Sequence, residues 1–147
     1  IDTSLPTLVF VHGSPGSSMD FKTYLANEDL NKKANLITYD RIGYGNTNIG
    51  EVLNSVEQEL DVSHILIKDL NSENIVLVGY SYGGTVVMAD TNKYKRKIAL
   101  AAAVRGDLEP MFWLLNIYKW CITRPLVPNK LQAAASEKFR HLTELES

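Results

Sequence analysis

The stretch Ile75-Val76-Leu77-Val78-Gly79-Tyr80-Ser81-Tyr82-Gly83-Gly84-Thr85-Val86-Val87 constrains this chain more than any other. An apolar run of strand length ends in Gly-x-Ser-x-Gly, and an apolar run of helical composition follows at once. So abrupt a corner has no room for a Cβ two places before or after the serine, which is why glycine stands there. The pattern is that of a nucleophile elbow, in which the serine backbone is strained and its side chain stands above the sheet. The serine also opens a helix, where free N–H groups and the helix dipole favour developing negative charge. Gly-x-Ser-x-Gly alone is short enough to arise by chance; the strand before it and the helix after it give it weight. The alternative is a glycine-rich structural turn in which Ser81 is an ordinary helix N-cap.

Upstream, residues 7–11 (Thr-Leu-Val-Phe-Val) form a continuous run rather than an alternating one, as expected of a strand covered on both faces. It runs into His12-Gly13-Ser14-Pro15-Gly16, a turn made of structure breakers. Ser17, Ser18 and Asp20 offer caps for a helix carrying Phe21, Tyr24 and Leu25. A second strand over 35–39 ends in Asp40-Arg41-Ile42-Gly43-Tyr44-Gly45-Asn46. Gly43-x-Gly45 has no third glycine and opens no helix, which excludes a dinucleotide fingerprint, and the chain has no Gly-Lys-Ser/Thr phosphate loop. Ser55-Val56-Glu57-Gln58 is a capping box for a helix running to about residue 70, with Val56, Leu60, Ile67 and Leu70 near helical spacing. A third strand over 75–79 leads through the corner into a short helix from 82 to about 90. A fourth strand is expected over 97–104. Strands alternating with helices imply a parallel sheet with right-handed crossovers.

From Gly106 the pattern changes. Residues 111–120 are crowded with apolar and aromatic side chains, Pro125 and Pro128 interrupt them, and a polar, helix-forming segment follows from Leu131. The expected organisation is therefore a core over 1–105 and a helical segment over 106–147.

The 147 residues suffice for one domain with a real core. A net charge of -2 lacks the basic balance that nucleic acid or an anionic membrane demands. The basic cluster from Lys93 to Lys97 falls where a helix is expected to end, so it reads as a solvated helix terminus. The single cysteine, Cys121, excludes an intrachain disulfide and any cysteine-based metal site. No apolar run approaches the length of a membrane span. The chain opens at Ile1 without Met, so targeting is open; a soluble, cytoplasmic location is slightly favoured.

Three motifs in register then resemble the α/β-hydrolase superfamily: His12-Gly13-Ser14-Pro15-Gly16 after the first strand, Asp40-Arg41-x-Gly43-x-Gly45 after the second, and Gly79-Tyr80-Ser81-Tyr82-Gly83-Gly84 after the third. The match covers about residues 5–105. The resemblance implies a doubly wound, mostly parallel sheet, with the second strand on one side of the first and the third on the other. Ligands then bind outside the carboxyl ends of the strands, at the switch point between the first and third. It implies Ser81 as nucleophile, with the backbone N–H groups of Tyr82 and Ser14 as the oxyanion hole. His12 is expected to shape its turn rather than to react. Branches that displace at an alkyl carbon carry Asp at the corner, so Ser81 points to an ester, thioester or amide of a small-molecule acyl substrate, with no cofactor. Residues 106–147 resemble the start of a cap, in which Phe112, Trp113 and Trp120 either face an apolar substrate pocket or pack the cap onto the core; a membrane-surface helix is a third, less favoured reading.

The family's acid and histidine follow later strands, and this chain ends inside the cap. The expectation is a fragment that lacks both, with the remainder of the fold in the parent protein. Some relatives place the acid just after the strand corresponding to the fourth one here, which makes Asp107 and Glu109 candidates; surface loop charges are the alternative. His141 lies beside Lys138 and Arg140 on a polar helix, and His64 sits mid-helix; neither reads as the base. Two functions follow: a serine hydrolase whose N-terminal portion this is, or a non-catalytic binding or assembly module on the same fold.

Overall fold

The computed structural model describes residues 1–47 and 53–102. Four parallel strands form one sheet: β1 (Thr7–Val11), β2 (Asn35–Thr38), β3 (Ile75–Tyr80) and β4 (Arg96–Leu100). Their order is β2-β1-β3-β4, so β2 and β3 flank β1 as expected. Thr7 pairs with both Asn35 and Ile75, and Val78 pairs with Ile98. Helices α1 (Lys22–Leu25), α2 (Glu28–Asn31), α3 (Val56–Ile67) and α4 (Tyr82–Ala89) make the connections, with short 3₁₀ turns at Ser18–Phe21 and Ser72–Asn74.

Strand alternation divides the core between two faces. Val9, Val11, Ile75 and Leu77 point to one side, where Ile67 of α3 and Val87 of α4 cover them. Phe10 and Val78 point to the other, under Phe21 of the first 3₁₀ turn. The Phe10 and Phe21 ring centroids are 4.8 Å apart. Covering both faces explains why β1 has no polar alternation. The cover is incomplete at β4, where Ile98 and Leu100 remain 42% and 39% exposed on the Phe10 side. Among the described residues β4 pairs with β3 alone.

Local signals account for most boundaries. Ser17 caps the first 3₁₀ turn in a capping box with Asp20. Ser55 accepts from the Gln58 N–H, but the Gln58 side chain bonds the Asn54 N–H at 2.6 Å, so the expected box closes one residue early. Helix α3 ends at Ile67, short of residue 70. Helix α2 was not expected; Asn27 starts it by accepting from the Leu30 N–H at 2.9 Å. Helix α4 ends at Ala89, before the basic cluster. Lys93 to Lys95 therefore lie in the following loop and Arg96 and Lys97 open β4, which corrects the reading of that cluster as a helix end. The fourth strand was expected over 97–104, but β4 stops at Leu100, where Ala101 turns to φ 46°, and residues 103–104 lie outside the described residues. The expected cap over 106–147, with Asp107, Glu109, Phe112, Trp113, Trp120 and His141, also lies outside them.

Candidate active site

The corner between β3 and α4 has the geometry that the glycine spacing requires. Ser81 adopts φ 52° and ψ -120°, a region that side chains rarely occupy, and its side chain makes no capping hydrogen bond. The ordinary N-cap alternative is therefore not what the structure contains. A Cβ on Gly79 would come within 2.2 Å of the Gly83 carbonyl oxygen. A Cβ on Gly83 would come equally close, 2.2 Å, to the Val11 carbonyl oxygen. The strained backbone is held from outside, because the Ser81 N–H donates to the Leu100 carbonyl of β4 at 2.9 Å.

The turn after β1 lies against this corner. A Cβ on Gly13 would stand 2.9 Å from the Ser81 Cβ and 3.2 Å from the Tyr80 carbonyl oxygen. The structure thus brings the Ser14 turn beside Ser81 and Tyr82, at the carboxyl ends of adjacent strands β1 and β3. Ser81 and Ser14 are half-buried, and Tyr82 is buried. The Ser14 hydroxyl bonds the Tyr44 hydroxyl at 2.8 Å, which fastens the turn to the loop after β2.

His12 is completely buried, and both of its ring nitrogens are engaged. Nε2 accepts the Arg41 backbone N–H at 3.0 Å, so the proton resides on Nδ1, which donates to the Gly13 carbonyl at 2.8 Å. Burial, and then the Arg41 guanidinium nearby, hold its pKa below the usual histidine value. A neutral imidazole with no free nitrogen shapes the turn, as the sequence implied, and is not placed to take a proton from Ser81.

Three side chains that the sequence reading left without a role complete the surroundings. Arg41 and Glu59 are 0% and 2% exposed and form an ion pair at 3.2 Å. The Arg41 guanidinium lies 4.7 Å from the Tyr44 ring centroid and 4.4 Å from that of Tyr82. Glu59 lies on a stripe of α3 in which Glu59, Ser63 and Ile67 recur every fourth residue and all are buried, although its charge gave no hint of burial in the sequence. A carboxylate on that stripe needs a buried cation. Asp40 joins the same loops by accepting the Ser18 N–H at 2.7 Å and the Asn46 N–H at 2.9 Å. Burial opposes its ionisation, but these backbone donors hold the carboxyl pKa below its usual value.

His64 is elsewhere. It bonds Asp90 at 2.9 Å and lines a groove of about 500 Å³ with Ser72, Ile75 and Tyr94. That groove is at the start of β3, whereas Ser81 follows its end. A strand rises about 3.3 Å per residue, so the two are separated by roughly the length of β3. Among the described residues no group of three or more His, Cys, Asp or Glu side chains could hold a metal ion. None of the described helices is long and apolar enough to cross a membrane.

A model of the alpha/beta hydrolase family matches residues 8–142. Proline iminopeptidase from Saccharolobus solfataricus is 33% identical over 92 residues, which cover 60% of this chain and 29% of that protein. The solved structure of a lipase-esterase related protein from Clostridium acetobutylicum superposes with a TM-score of 0.61 at 26% identity, covering 80% of this chain and 51% of that one. An alpha/beta hydrolase fold protein from Burkholderia ambifaria gives a TM-score of 0.68 at 18% identity, covering 84% of this chain and 46% of that one. The chain thus spans about half the length of these structural relatives, and less of the iminopeptidase.

Proposed function

Because this chain belongs to the alpha/beta hydrolase family, we propose that it carries the nucleophile and oxyanion hole of a serine hydrolase acting on an ester, thioester or amide of a small acyl compound. The observation that carries the proposal is the Ser81 backbone at φ 52°, in a corner that Gly79 and Gly83 alone permit. Strain of this kind costs of order 1–3 kcal/mol and persists where the surrounding structure overrides it. A turn serving only to reverse the chain would relax it with glycine at position 81.

In this reading Ser81 Oγ attacks the acyl carbon, and the carbonyl oxygen becomes an oxyanion that receives the N–H groups of Tyr82 and Ser14. Tyr82 supplies the first N–H of α4, where the helix dipole adds to the effect. Loss of one such donor typically costs about 2.7–4 kcal/mol in the transition state. The general base is neither described histidine, since His12 is committed to its turn and His64 lies at the start of β3, the length of the strand away from Ser81. Asp107 as acid, and Phe112 and Trp113 as the substrate-pocket wall, belong to the same reading. The iminopeptidase relative keeps a peptide amide among the candidate substrates.

A fluorophosphonate probe tests the proposal, because it reacts only with an activated serine. The full-length protein should be labelled, and Ser81→Ala should lose the label while melting cooperatively. Equal labelling of Ser81→Ala would remove Ser81 from the role.

A further inference from the structure

We propose that Arg41 is a positioning residue for the oxyanion hole: with His12 it grips the Gly13 carbonyl and so sets the direction of the Ser14 N–H. This rests on the reading of that N–H as one of the two oxyanion donors.

The Gly13 carbonyl and the Ser14 N–H belong to one peptide unit, which is trans. Such a unit is planar, and its C=O and N–H point in opposite directions. Fixing the oxygen therefore aims the hydrogen. A carbonyl oxygen has two lone pairs, and here two donors reach it, His12 Nδ1 at 2.8 Å and Arg41 Nη1 at 3.3 Å. Hydrogen bonds received by the carbonyl also polarise the peptide, which makes its N–H the stronger donor.

The gripping group is itself immobilised. Glu59 faces the guanidinium edge, with Nη2 at 3.2 Å and Nε at 3.5 Å from its two carboxylate oxygens. The Tyr44 and Tyr82 rings lie against its carbon centre. Tyr82 provides the other oxyanion N–H, and the Tyr44 hydroxyl bonds Ser14. One guanidinium thus touches the β1 turn, the loop after β2, helix α3 and the corner itself. A buried ion pair is by itself weak evidence of a purely stabilising role, because well-packed apolar residues often replace one with no loss.

The experiment uses the full-length protein, p-nitrophenyl acetate as substrate and a trifluoromethyl ketone as transition-state analogue. Arg41→Met combined with Glu59→Met removes both charges of this pair together, which spares the fold more than either single change. It should lower kcat about 10²-fold with KM little changed. Affinity for the ketone should fall by a similar factor, since the ketone reports on the oxyanion hole. Arg41→Lys keeps the charge but loses the planar fork, and its kcat should lie between wild type and the double variant. A folded double variant with wild-type kcat and wild-type ketone affinity overturns the proposal. Should the double variant not fold, Arg41→Lys decides by the same two readouts. Ser81→Ala separates the two levels: its loss of fluorophosphonate labelling preserves the nucleophile even where the Arg41 result is negative, and its unchanged labelling overturns both.

Discussion

A Cβ placed on Gly83 would lie 2.2 Å from the carbonyl oxygen of Val11, so the first turn of α4 rests directly on the backbone of β1. Neither partner can yield, because one is helix and the other is the central strand. Gly83→Ala should destabilise the protein at or beyond the upper end of the about 1–3 kcal/mol typical of overpacking. Urea denaturation followed by far-UV circular dichroism measures this, and a cost below about 1 kcal/mol would contradict the contact.

The Arg41–Glu59 pair predicts a difference between single and double substitution. Removing Glu59 alone takes away the carboxylate 3.2 Å from a guanidinium that is 0% exposed. Glu59→Ala should cost about 3–5 kcal/mol. Arg41→Met with Glu59→Met should cost much less than the sum of its two single changes. A double-mutant cycle on unfolding free energies provides the check.

Stability should decline on mild acidification. In the unfolded chain the His12 imidazole takes up a proton below about pH 6.5. In the folded protein its depressed pKa keeps it neutral further down. The unfolded state then binds more protons, so unfolding free energy falls as pH drops from about 6.5 towards the folded pKa, by at most about 1.4 kcal/mol per pH unit from this group. Above that window His12 contributes no slope. His12→Asn should flatten the profile between pH 7 and 5, read from urea midpoints at each pH.

Asp40 predicts a second acid transition at lower pH. Its carboxylate is favoured in the folded state, so its contribution is complete above about pH 3.9 and is lost as pH falls through the lower folded value. At neutral pH, Asp40→Ala would strand the Ser18 and Asn46 N–H groups. The cost should be about 1–3 kcal/mol, nearer the lower figure because water reaches the exposed Asn46. Hydrogen exchange at the Ser18 amide should accelerate in this variant while the core strands stay protected.

The individual strands and the corner were legible in sequence because each rests on a local rule, whereas the strand order followed only from the resemblance of the three motifs to the α/β-hydrolase superfamily. Apolar runs bounded by glycine and proline mark strands, and only glycine fits on either side of Ser81. Helix α2 was not legible, since Glu28, Asp29 and Asn31 leave it no apolar face and Asn27 alone announces it. The buried ion pair was hidden for a different reason. Arg41 and Glu59 are charged, and charge ordinarily means surface; only the packing of β2's loop under α3 reverses that. The turn after β1 showed its breakers, but that Gly13 touches Ser81 depends on β1 and β3 being neighbours, a relationship 60-odd residues apart in the chain.

The central strand acquires its neighbours in a fixed order as the chain is made. Residues 35–38 can zip onto one edge of β1 early, whereas the other edge has to wait for residues 75–79. At about 5–20 residues per second of synthesis that interval lasts seconds, far longer than a hairpin takes to form. During it one edge of β1 has no partner strand, the condition in which an apolar strand is most exposed to wrong pairing.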